Sequence, residues 1–136
     1  MSKTQQPWIT QGYATFAAEG PAGLKVERLA KAIGKNKSSF YHHFADLGIF
    51  TAILLEVHLQ QAIVMARKEA SCVMTEELLD VLVEHKTDLL FNRQLRVHRQ
   101  RPEFQRCFKK TNEVIVDSLT PLWCEVLELP DNAQLA

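Results

Sequence analysis

Cysteine is scarce in this 136-residue chain, with three residues at positions 72, 107 and 124. Their odd number, wide spacing and lack of any CxxC or Cys/His ligand pattern exclude a disulfide scaffold and a zinc site. Cys72, Cys107 and Cys124 are expected to be buried free thiols. Five prolines and five glycines are too few for a chain of many tight turns, while Leu, Ala, Glu, Lys and Gln abound. Helices are expected throughout. No uninterrupted run of eighteen apolar residues occurs, and no apolar segment follows a basic start at the N-terminus. A membrane span is therefore not expected, and the cytoplasm is the expected compartment. An excess of charge of one sign is also lacking: Lys plus Arg and Asp plus Glu number 16 each. Taken whole, that neutrality argues against a nucleic-acid binder. What is present, 46% apolar and 24% charged residues in a chain of one-domain length, suffices for a core and leaves too little polar excess for disorder.

Apolar positions recur at three and four from Pro7 to Gly20, with Pro7 suited to a first turn and Gly20 to a C-terminal cap, and predict a first helix. After the turn Pro21-Ala22-Gly23, Val26, Leu29, Ala30 and Ile33 predict a second, brief helix stopped by Gly34. Gly34-Lys35-Asn36 separates it from Lys37-Ser38-Ser39-Phe40-Tyr41-His42-His43-Phe44, a third helix capped by Asn36 with Phe40 and Phe44 facing inward. Two short helices around a tight Gly-containing turn make a helix-turn-helix. Asp46 is expected to cap a long helix ending near Ala70, with an apolar stripe of Phe50, Ile53, Leu54, Val57, Val64 and Met65. Thr75 is expected to cap one further helix bounded by Pro102, with a wide apolar face that includes Leu79, Leu82, Val83 and Leu89. A helix from Pro102 is expected to break at Thr120-Pro121, before a last segment from Leu122 to Leu129.

The neutrality divides unevenly. The first fifty residues hold six cations against three anions, a balance of +3, and the remainder holds ten against thirteen, a balance of −3. Lys35, Lys37, Ser38, Ser39, Tyr41, His42 and His43 crowd onto or just before the third helix, and Asn36 joins the candidate DNA contacts. Small hydroxyls and amides reach base edges in a major groove, while Lys and Tyr hold phosphate oxygens. The same residues also fit a small helical subdomain with a solvated basic face.

The segments Trp8 to Gly20, Leu24 to Gly34 and Lys37 to Phe44 resemble the N-terminal DNA-binding domain of the tetracycline-repressor (TetR) family of regulators. The most specific part is Lys-Ser-Ser-Phe-Tyr-His-His-Phe following Leu-Ala-x-x-x-Gly, and the likeness covers about residues 7–58. It implies an all-α protein: a three-helix helix-turn-helix domain over residues 1–46, joined by a long helix to a ligand-binding and dimerisation bundle over residues 47–136. It further implies a homodimer on palindromic double-stranded operator DNA, released by a small-molecule effector. By position, Lys37, Ser38, Ser39, Tyr41 and His42 fall where the family contacts DNA, and Lys25 stands where a phosphate-binding Thr or Ser is common. Lys35 replaces a small apolar residue, and Leu47 stands where the family often carries Lys or Arg at the start of the fourth helix. Family members usually continue through two more long helices, so the bundle is expected to be incomplete.

In the C-terminal part, Arg93, Arg96, Arg99 and Arg101 form a basic cluster that Arg106, Lys109 and Lys110 extend. It reads as a solvated face with salt bridges, or as a recognition surface for an anionic effector. His58 and His85 lie along apolar stripes and, with Arg93 and Arg96, are the candidate ligand-pocket residues; core histidines share that pattern. No catalytic constellation, Gly-rich phosphate loop or metal-ligand spacing is found, so no enzyme, cofactor or metal is expected. Two functions stay open: an effector-responsive operator-binding regulator, and a helical protein-interaction module of the same fold that has lost autonomous DNA binding.

Overall fold

The computed structural model describes the backbone of residues 3–127 and the side chains of residues 3–118, and the described chain is all-helical. Seven α-helices follow in order: α1 Gln6–Glu19, α2 Val26–Ile33, α3 Lys37–His43, α4 Leu47–Ala70, α5 Thr75–Glu84, α6 Lys86–Val97 and α7 Pro102–Leu127. A single 3-10 turn, Pro21–Gly23, joins α1 to α2.

The first four helices begin and end where local chemistry dictates. Gly20 takes φ 77° and returns its N–H to the Phe16 carbonyl, closing α1. Gly34, at φ 69°, does the same for α2 in the left-handed conformation that favours glycine. Asn36 and Asp46 accept the backbone N–H of Ser39 (2.9 Å) and Ile49 (2.8 Å), so both expected caps form.

One aromatic core runs through the molecule. Trp8 meets Phe40 edge-on at 5.4 Å, Phe40 and Phe44 meet Phe50, and Phe16 stacks on Phe91 at 4.3 Å and touches Phe104. Trp8, Phe16, Phe40, Phe50, Phe91 and Phe104 are each almost completely buried. These six side chains come from α1, α3, α4, α6 and α7, so the helix-turn-helix and the following helices share one apolar interior. Within it, α1 packs on α6 and α4 along α7. Gly12 is required at the α1–α4 crossing, because a Cβ there would collide with the Phe50 ring.

The structure departs from the sequence pattern in several places. The single helix expected between Thr75 and Pro102 is two, divided at His85, whose backbone takes φ −98° and ψ 24° and whose side chain turns inward to Asp88 and Lys68. Thr75 is not the cap. Met74 holds that position without a side-chain bond, and Glu77 instead accepts the Val73 N–H at 3.0 Å. The wide apolar face of α5 is largely open: Leu79 and Val83 are exposed and no α5 residue is fully buried. On α4, Val64 is exposed, and the inner stripe recruits His58 and Glu69 beside Ala62, Met65 and Ala66. No break occurs at Thr120-Pro121. The α7 backbone continues through Pro121 to Leu127. Residues 128–129 of the expected last segment and the side chain of Cys124 lie outside the described residues. Cys107 is buried and Cys72 half-buried, both as free thiols. By length and composition α4 is apolar enough to cross a membrane, but Phe50, Leu54, His58 and Met65 make its inner face a core face.

Candidate nucleic-acid interface

The sequence Lys37-Ser38-Ser39-Phe40-Tyr41-His42-His43 folds as α3 because Asn36 caps its first turn and Phe40 anchors its inner side. Phe40 sits against Trp8, Phe44 and Phe50, which fixes the helix rotation. The opposite side follows from that rotation: Lys37, Ser38, Tyr41 and His42 are exposed, Tyr41 by half its area, and Ser39 is half-buried. Lys35 and Asn36 are exposed in the turn before it.

Lys25 precedes α2 in an extended conformation (φ −125°, ψ 126°). A lysine cannot accept the orphan N–H groups of the first turn, so α2 begins without a side-chain cap, and the ammonium is exposed. Lys37 lies 3.3 Å from Glu27 across the turn, an exposed pair worth little in water. Arg28 is held by Glu19 in a two-pronged contact of 3.0 and 2.8 Å, which keeps the Glu19 carboxyl below its ordinary range. Lys25 and Lys35 have no ion pair among the described residues. All eight residues expected to contact DNA thus lie along α3, the turn before it and the start of α2, on an open surface.

Leu47, where the resemblance led us to look for a cation, is half-buried and packs on the core. It lines a groove of about 430 Å³ with Gly48, Thr51, Pro21, Leu24 and Arg101.

The four pocket candidates do not come together. His58 and His85 are buried, whereas Arg93 and Arg96 are exposed on α6. His58 places Nδ1 2.9 Å from the Tyr13 hydroxyl and Nε2 3.1 Å from Asn92 Oδ1, and its ring stacks on Phe91 at 4.6 Å. Burial holds His58 below the ordinary imidazole range, against the opposing pull of Asn92 and Asp88. His85 receives Lys68 at Nε2 (3.2 Å); since an ammonium only donates, the ring proton sits on Nδ1 and is given to Asp88 Oδ2 at 2.7 Å. Lys68 also binds Glu84 at 2.7 Å.

Sequence reasoning missed the members that complete this chain of polar groups. Tyr13 donates to Asp88 Oδ1, and Asn92 donates to Asn112 Oδ1 at 3.2 Å. Burial first, and Asp88 second, hold the Tyr13 hydroxyl well above the ordinary phenol range. The available signals were the polar tip on an inward α1 position and the three-residue spacing of His85 and Asp88. Glu69 is the exception to this pairing: its Oε1 is buried with no partner, and burial raises its carboxyl.

A tri-helical unit whose capped third helix presents Lys37, Ser38, Tyr41 and His42 outward has the form of a helix-turn-helix. Residues 9–46 match the family described as bacterial regulatory proteins, tetR family. The matched span covers the helix-turn-helix and ends as α4 begins. No curated protein and no solved structure matches it.

Proposed function

We propose that the chain is an effector-responsive transcriptional repressor that binds a palindromic operator as a homodimer and acts in the cytoplasm. Residues 1–46 act as the reader and residues 47–136 as the effector and dimerisation region, with no catalytic role. The observation that carries the reading is α3. Its Phe40 anchor leaves Lys37, Ser38, Tyr41 and His42 together on the open side of a domain matching DNA-binding regulators. Lys37 and Tyr41 serve as phosphate ligands, and Ser39 and His42 as base-edge readers. Lys25, Lys35 and Asn36 flank them.

Selection from a random duplex pool tests this directly. A palindrome is expected; Lys37→Ala should weaken binding to every sequence and reduce the salt slope by about 0.9 per bound protomer, and Tyr41→Ala, which removes a neutral phosphate ligand, should weaken binding to every sequence with little change in slope. Ser39 and His42 substitutions should shift the preferred sequence instead. Unchanged affinity and slope in the Lys37 and Tyr41 variants would sink the docking.

One observation favours the second reading, an interaction module without autonomous DNA binding. Val73, Met74, Leu79 and Val83 form an exposed apolar run over α5 and the residues before it, with Val83 75% exposed. Recovery of no enriched sequence would favour that reading.

A further inference from the structure

The charge of residues 47–136 is not spread evenly. Within residues 93–110 seven cations face one carboxylate, Glu103. Only Arg101 among these cations has an ion pair in the described residues, with Glu103 at 2.8 Å, and its guanidinium also lies 4.4 Å above the Phe104 ring. Arg93, Arg96, Arg99, Arg106, Lys109 and Lys110 are exposed and form no salt bridge there. The acidic half of the molecule inferred from the sequence therefore contains its most basic stretch.

Tertiary packing sets this stretch beside the reader. The α6–α7 corner lies against the α1–α2 corner: Gln94 donates to the Ala17 carbonyl at 3.4 Å, and a Cβ on Gly20 would lie 2.7 Å from Gln94 and 3.0 Å from His98. Arg101 shares its groove with Pro21 and Leu24, which lead directly into Lys25, and with Leu47 and Gly48 in the first turn of α4. On the outer side of the corner, Arg96 and Arg99 border a shallow depression with Gln100 and Gln105. Two partnerless guanidinium groups and two carboxamides, with no carboxylate among them, offer only donors of charge and amides. That set suits phosphate oxygens, which guanidinium grips in two-pronged fashion.

We propose that the α6–α7 corner is a second, sequence-independent DNA-contact surface in which Arg96 and Arg99 bind backbone phosphates flanking the stretch read by α3. The inference rests on the DNA-binding reading above and extends the footprint from the helix-turn-helix onto the body. The cation absent at Leu47 is replaced, in this view, by arginines from another part of the chain. Contacts of this kind carry no base information but lengthen the site and steepen the salt dependence.

The experiment is a salt titration of the full chain on a mixed-sequence 40-base-pair duplex, since phosphate contacts need no particular operator. The double variant Arg96→Ala/Arg99→Ala should lower the slope of log K against log salt by about 1.8 per bound protomer, that is, about 0.9 per phosphate released and about 3.6 for a dimer. Arg96→Lys/Arg99→Lys should keep most of the slope. Lys86→Ala, an exposed cation at the far end of α6, should leave it unchanged. An unaltered slope in the double alanine variant, or an equal fall per charge with Lys86→Ala, would overturn the corner contact while leaving the α3 reading intact. Failure of the unsubstituted chain to bind any duplex would overturn both.

Discussion

Tyr13 on α1 donates its hydroxyl proton to Asp88 on α6 at 2.5 Å, across 75 residues of sequence. The bond joins the first helix of the tri-helical unit to the helix that leads into the basic corner, and the carboxylate in turn accepts from His85. Tyr13→Phe keeps the ring stacked on Phe91 and removes only the donor. The expected cost is about 1.5–3 kcal/mol, because the bond goes to a charged group and its loss leaves a largely buried carboxylate oxygen short of a partner. Urea unfolding measures it, and an unchanged midpoint would show that the pair contributes nothing net.

His58 predicts a pH dependence of stability. Its folded-state value is lowered by burial from an ordinary 6.5. Below that pH the unfolded chain takes up a proton that the folded chain refuses, so stability is fully present above about 6.5 and falls as the pH drops. His58→Gln should flatten the decline between about pH 6.5 and 5. Denaturation midpoints at both ends of that range, for both proteins, give the answer.

Glu69 acts with the opposite sign. Burial raises its carboxyl above the ordinary 4.5, so the folded state keeps its proton longer than the unfolded chain. The stability this supplies is present below 4.5 and lost as the pH rises through the folded value. Glu69→Gln removes the ionisation and should leave the protein about 1 kcal/mol more stable at pH 8, with little difference at pH 4. Equal stability of the two proteins at pH 8 would mean that the lone Oε1 is satisfied in solution.

Two glycines should respond for different reasons. At Gly12 a methyl group would strike the Phe50 ring, and Gly12→Ala should cost about 1–3 kcal/mol through forced repacking. At Gly34 nothing lies within 4 Å, but φ is 69°, and Gly34→Ala should cost about 1–2 kcal/mol from backbone conformation alone. A second, space-making change, Phe50→Leu, should recover part of the Gly12 loss and none of the Gly34 loss.

The helix-turn-helix was legible because its determinants are local. Asn36 and Asp46 accept the N–H groups three residues on, Gly34 can take the left-handed conformation without a Cβ penalty, and the spacing of Phe40 and Phe44 defines one inner side of α3. Each needs only a few neighbouring residues to act. The division at His85 was hidden, because helical periodicity is unbroken there and the contacts of the imidazole with Asp88 and Lys68 form only in the folded chain.

The sequence by itself determined the all-helical class, the helix-turn-helix and the residues on its open side, through capping, glycine conformation and apolar spacing. Tertiary structure alone decided which polar groups meet and where the charge lies. A helical period tells which side of a helix turns inward, but not which helix it will face. Tyr13 therefore found Asp88, and Arg101 of the α6–α7 corner came to rest beside the helix-turn-helix, through packing between segments distant along the chain.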